Sequence, residues 1–150
     1  MPKKFQFRLE ALLKLRANAV EQAKNALATA LQNRMKKEDE LYMKEQYFSE
    51  LLILEQSQKQ SVSEMQANWH HRQAVQHEIH TLEREKNKLV EVEDKKRYEL
   101  AETMKQEKTV EKLKERKKTE YHEIIAKEEQ VFLDEIAGRS HGKSKATRRQ

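Results

Sequence analysis

The sequence predicts an all-α fold: a long two-helix antiparallel coiled-coil hairpin, with a C-terminal helical overhang and a disordered basic tail. Three observations predict it. Apolar residues are 36% of the 150 and charged residues 38%, too little apolar matter for a closed core and near the composition of long helices. The one Pro is Pro2 and the two Gly are Gly138 and Gly142, so Lys3 to Ala137 holds no strong breaker. Apolar residues then recur at three, four and seven along both halves.

The first helix is expected at about 4–56. One heptad position runs Leu13, Val20, Leu27, Arg34, Leu41, Phe48, and a companion runs Leu9, Arg16, Ala23, Ala30, Lys37, Lys44, Leu51. That is a two-stranded seam, good at both ends and poor in its middle. The tip falls at about 56–61, in EQSQKQSVSE, where large apolar residues at helical spacing run out. Ser61-Val62-Ser63-Glu64 reads as a capping box that starts the second helix near Val62. The second helix, about 62–137, carries Val75, Ile79, Leu82, Leu89, Val92, Leu100, Met104, Val110 and Leu113.

A bend near residue 59 sets Phe5 against Leu113, Leu13 against Met104, Val20 against Tyr98, Leu27 against Val92, Met35 against Leu82, Leu41 against Ile79 and Phe48 against Trp69. The alternative is one continuous helix pairing with a second chain. The hairpin register leaves a helical remainder of roughly 35 Å at 1.5 Å per residue. It carries Tyr121, Ile124, Ile125, Val131, Phe132, Leu133 and Ile136. Exposed apolar surface of that kind marks a partner site.

The expected domains are thus the hairpin, 1–137, and the tail, 138–150. The tail holds Arg139, Lys143, Lys145, Arg148 and Arg149 and no acid. It accounts for the whole net charge of +5 and leaves residues 1–137 neutral in sum. A protein that grips nucleic acid along its length would carry its excess there, so nucleic acid is not an expected partner. Without Cys, disulfide and thiolate chemistry are excluded. No apolar run reaches the roughly 18 residues of a membrane span, and the expectation is a cytoplasmic protein without membrane insertion.

Chemistry-bearing motifs are weak. GRSHGKS has three residues between its glycines where a phosphate loop needs four, and it follows a helix. His70, His77 and His80 share a helical face and could ligate a metal, or could simply form a polar face. Glu83, Glu85, Glu91, Glu93 and Asp94 alternate with Lys and Arg as on a solvated surface. A two-helix hairpin is expected to have no concave pocket, so no enzyme activity, cofactor or metal is expected. Tyr42, Tyr47, Phe48 and Trp69 gather near the tip, more rings than one seam can bury.

The opening stretch, Phe5-x-Phe7-Arg8-Leu9-Glu10-x-Leu12-Leu13-x-Leu15-Arg16, then Glu21-x-Ala23-Lys24-x-x-Leu27-Ala28-x-Ala30, resembles the N-terminus of the FliJ family of flagellar type III export proteins. Ser61-x-x-Glu64-Met65-Gln66 resembles the family's entry into its second helix. Glu128-Glu129-Gln130, Asp134-Glu135-Ile136-Ala137 and a basic tail resemble its C-terminus.

The resemblance implies a cytoplasmic antiparallel coiled coil, monomeric alone, shaped like the rotor-stalk γ subunit of F-type ATPases. It implies a place in the hexameric flagellar export ATPase, whose assembly it promotes. It also implies contact with the cytoplasmic domain of the membrane export gate and with export chaperones, at the cytoplasmic face of the inner membrane at the flagellar base. On that reading Phe5, Phe7, Arg8, Ile125, Phe132, Asp134, Glu135 and Ile136 meet the ATPase. Leu41, Tyr42, Tyr47 and Trp69 meet a second partner. The alternatives are a generic coiled-coil scaffold, the equivalent stalk of an injectisome, or a nucleic-acid-associated protein acting through its tail.

Overall fold

The computed structural model describes residues 4–148, with side chains through Gly142. It is an all-α helical hairpin of two elements, α1 (Glu10–Ser57) and α2 (Val62–Arg148). The chain divides into two compact units, one of Ala19–Met104 and one of Met1–Asn18 with Lys105–Gln150.

The tip is built as its sequence dictates. α1 ends at Ser57, whose hydroxyl donates to the carbonyl of Leu54 at 2.9 Å. Four residues later Ser61 caps α2. The Glu64 amide donates to Ser61 Oγ at 3.2 Å, and the Ser61 amide donates to Glu64 Oε2 at 3.3 Å. Both halves of the capping box form, satisfying donors that a helix start would otherwise leave unpaired.

Both helix ends away from the tip differ from expectation. α1 starts at Glu10, and residues 4–9 are not helical, although the pattern suggested a start near residue 4. The Glu10 amide donates to the Phe7 carbonyl at 3.1 Å, closing a turn before the helix. No Ser, Thr, Asp or Asn precedes Glu10 to cap an earlier start, and the acid itself suits the positive end of the helix dipole. The Phe5 ring instead lies 5.6 Å from that of Tyr121. At the other end α2 continues through the stretch expected to be a disordered tail, as far as Arg148. Neither glycine there has a positive φ, so neither acts as a stop signal. Each weakens the helix by about 1 kcal/mol relative to Ala without ending it.

The core is a thin seam. Among the described residues no large side chain is fully buried. In the unit 19–104, Leu41 closes on Val75 and Ile79, and Phe48, Leu51 and Leu82 pack against them. Leu41 against Ile79 is the expected contact. Elsewhere the register differs: Met35, Val92, Tyr98 and Met104, all assigned partners from the pattern, are exposed. Lys44 pairs with Glu78 at 2.7 Å and Lys37 with Glu85 at 2.9 Å, where a bend at residue 59 would place Ala74 and Thr81. Each partner lies about a turn further along α2. A heptad pattern leaves registers one turn apart nearly alike in apolar contacts, and cross-helix charges then choose between them.

The most buried charge belongs to that choice. Glu93 is 4% exposed, and its carboxylate takes hydrogen bonds from Arg97, at 2.8 Å, and from Arg34 Nε. Arg34 also donates to Glu38 at 2.7 Å. The bonds from Arg97 and then Arg34 hold the Glu93 carboxyl below its ordinary 4.5, against the opposing effect of burial.

Candidate functional site

Two stretches carry the sequence-predicted contact residues, one in each unit. The first is α2 beyond Tyr121. The tilted contact of Phe5 with Tyr121 closes a cleft lined by Phe7, Leu113 and Ile124 as well. Phe5 and Phe7 are half-buried there, so part of their surface is spent on this chain. Arg8 is exposed beside them. Because Phe5 reaches Tyr121 rather than Leu113, the unaccompanied helix is shorter than the sequence register implied.

From that point α2 has no second helix against it among the described residues. Ile125 is half-buried, and every residue from Ala126 to Gly142 is exposed. Phe132 is 62% exposed and Ile136 47%, with Ile124, Val131 and Leu133 likewise open. Ile125, Phe132 and Ile136 stand seven and four apart, hence on one face. Asp134 accepts a hydrogen bond from the Gln130 amide at 3.1 Å, which steadies it one turn on from Gln130. Glu135 is exposed near Ile136. The sequence-predicted set Ile125, Phe132, Asp134, Glu135 and Ile136 is therefore brought together on one helix, while Phe5, Phe7 and Arg8 gather around Tyr121.

The second stretch surrounds Tyr47. Leu41, expected to meet a partner, is instead a core residue at 7% exposure, held between Val75 and Ile79. Its place in the heptad seam explains this: the same position that carries Val20 turns inward. Tyr42 is exposed. Tyr47 is partly exposed, its hydroxyl 3.0 Å from His71 Nε2 and its ring edge-on to the imidazole at 6.0 Å. Lys44 Nζ stands 5.7 Å from the centre of the same ring. Trp69 is 50% exposed, edge-on to His70 at 5.1 Å, whereas Phe48, its expected partner, packs into the Leu41 cluster. Tyr47, Met43, His71 and Val75 line a groove of about 910 Å³. Met43, 72% exposed, was not singled out from sequence, although it sits four residues before Tyr47 on the same face.

Electrostatics along this groove come from Lys44 and Glu78. The Lys44 hydrogen bond holds the Glu78 carboxyl below its ordinary 4.5. Lys37 is raised above its ordinary 10.5 by hydrogen bonds to Glu85 and then Glu40. Of the metal-candidate histidines, His80 Nδ1 lies 3.6 Å from Glu83. Among the described residues no group of three or more His, Asp or Glu is placed to hold a metal ion. No helix among them is long and apolar enough to cross a membrane.

What these surfaces can do is bind. One offers an apolar stripe on a single helix; the other offers rings and a methionine over a shallow groove. The profile of a family described as "Flagellar FliJ protein" matches residues 5–146 of the chain. No curated protein and no solved structure matches it.

Proposed function

The chain belongs to the FliJ family of flagellar proteins, a non-catalytic family with an export-related role, and from that premise we propose that it is the stalk of the flagellar export ATPase. It enters the hexameric ring, favours its assembly, and joins it to the cytoplasmic domain of the membrane export gate and to export chaperones. Its place is then the cytoplasm, against the inner membrane at the flagellar base.

The observation that supports this most is the apolar stripe Ile125, Phe132 and Ile136 on the part of α2 that, among the described residues, has no second helix against it. Fully burying an Ile- or Phe-sized side chain contributes about 1.5–3 kcal/mol. Micromolar affinity corresponds to about −8 kcal/mol, so the three docking together supply a large part of it before ordering costs. Phe5, Phe7 and Arg8 extend the ATPase-facing surface, and Asp134 and Glu135 orient it. Tyr42, Tyr47 and Trp69 serve the gate or the chaperones.

The test is a pull-down of purified export ATPase by the full chain, with ring assembly followed by nucleotide hydrolysis. The chain should raise hydrolysis most where the ATPase is dilute, because it acts on assembly. Failure to bind the ATPase, or hydrolysis by the chain alone after removal of contaminating ATPase, overturns the reading.

A further inference from the structure

The neutral sum of residues 1–137 conceals a segregation of charge. Residues 4–18 and 105–118 hold eleven Lys and Arg against four Glu, a net +7. Residues 119–137, the next stretch of α2, hold one Lys against six acids, a net −5. Both belong to the same compact unit.

The basic part has a directed face. Lys108, Lys112 and Arg116 stand four apart along α2, so they form one row about 12 Å long. All three are exposed and none makes an ion pair among the described residues. Lys112 and Arg116 edge an apolar groove whose floor is Leu9, Leu12 and Leu113. A row of cations beside an apolar groove fits a helix that is apolar on one face and acidic along it. Such a helix is present on the same chain. Phe132 is flanked at positions −4, −3 and +3 by Glu128, Glu129 and Glu135, all exposed, over about 10 Å of helix.

Against the expectation of a chain monomeric alone, we propose that the surface over Leu9, Leu12 and Leu113 takes the acidic apolar helix of a second copy of this chain. The two α2 helices then run antiparallel, each projecting stretch seated in the other copy's groove. Because each copy gives and receives the same contact, the pairing is two-fold and closes as a dimer instead of growing into fibres. Glu111 and Glu115 stand among the cations of this region, which disfavours a polyanion such as nucleic acid and suits a partner that brings apolar surface beside a short row of acids. The self-pairing stands by itself. Its consequence, that the dimer hides Phe132 and Ile136 from the ATPase, rests on the stalk reading.

Sedimentation equilibrium of the full chain, over a concentration series and at low and high salt, measures the pairing. The wild type should dimerise, and salt should weaken the dimer, since its charge contacts are exposed. K108E/K112E/R116E and E128K/E129K/E135K should each weaken self-association by about tenfold or more while remaining helical by circular dichroism. Mixed one to one, the two variants should pair again, because each then meets opposite charge at both contacts. A wild type that stays monomeric at all concentrations overturns the proposal. So does a dimer indifferent to either reversal, or a mixture that fails to restore it. A monomer that still assembles the ATPase sinks the dimer alone; the dimer-breaking variant K108E/K112E/R116E, which leaves Phe132 and Ile136 open, sinks the stalk reading alone if it does not bind the ATPase.

Discussion

Val75 and Ile79 in one unit, with Leu41 of α1 closing on them, and Phe132 and Ile136 in the other, are apolar pairs four apart on α2. The first three are buried, Val75 to 3% exposure; Phe132 is 62% exposed. Composition and local helicity do not separate the two groups. What separates them is whether α1 is there to face α2. A heptad stripe is half of an interface, and where the chain supplies the other half it becomes a core. Where the chain stops supplying it, the stripe is left as surface for something else.

The sharpest way to break this comparison is to cut equivalent side chains from both groups. Ile79→Ala should cost about 2–4 kcal/mol, because it opens a cavity in a seam with few neighbours to refill it. In a chain of this length that lowers Tm by roughly 5–10 °C. Phe132→Ala with Ile136→Ala should leave Tm nearly unchanged and abolish ATPase assembly. Thermal melts by circular dichroism, with a pull-down in parallel, read both. A large loss of Tm in the C-terminal pair would place those residues in a core and remove the contrast.

That contrast was partly legible in the sequence. The capping box at Ser61 and Glu64 located the tip because it is a local device with its own chemistry. Leu41 against Ile79 followed from the heptads. The rest of the register did not, since a slip of one turn preserves the apolar pattern, and the ion pairs that discriminate, such as Lys44 with Glu78, are few among many charges. Leu41 was expected both against Ile79 and at a second partner, and its place in the seam, at 7% exposure, leaves it only the first. The start of α1 was not legible because no N-cap residue type precedes Glu10, and the contact of Phe5 with the Tyr121 ring spans more than a hundred residues. The charge segregation was fully readable but was lost by summing over residues 1–137.

Acid should act on the closed seam more than on the open helix. Glu93 and Glu78 both have carboxyls held below 4.5, by Arg97 and Arg34 and by Lys44 respectively. A depressed carboxyl contributes stability that is fully present above the unfolded value and is lost as pH falls through the folded value. Stability should therefore hold above about pH 5 and decline below 4.5. Glu93→Gln should lower Tm at pH 7 and flatten the acid decline, which melts at a series of pH values measure. The half-exposed Glu78 should matter less, because solvent screens its pair. An unchanged acid limb in Glu93→Gln would show that the buried carboxylate does not set it.

A smaller effect is expected where the seam turns back. Ser61→Ala removes the side-chain acceptor for the Glu64 amide and should cost about 1 kcal/mol. Glu64→Gln keeps the reciprocal bond to the Ser61 amide in neutral form and should cost less. Urea denaturation compares them. Equal losses would mean that the charge of Glu64 at the helix N-terminus matters as much as the cap geometry.

The smallest stability effect belongs to exposed Tyr42 and to Tyr47 over the groove, and it bears on whether an open surface in the 19–104 unit behaves like the one past Tyr121. Tyr42 is 62% exposed and Tyr47 41%. Tyr47 spends its hydroxyl on His71 at 3.0 Å, an exposed hydrogen bond that water can replace. Neither ring enters the Leu41 cluster, whose packed members are Phe48, Leu51 and Leu82. Tyr42→Ala with Tyr47→Ala should therefore shift stability by no more than about 0.5 kcal/mol. ATPase assembly should be spared, because the contacts proposed for it lie on the other unit, and binding to the purified cytoplasmic domain of the export gate should weaken. Met43→Ala, on the same face, should weaken it further. If the tyrosine pair instead lowers Tm as Ile79→Ala does, the groove is part of the seam. The partner reading would then rest on the surface past Tyr121.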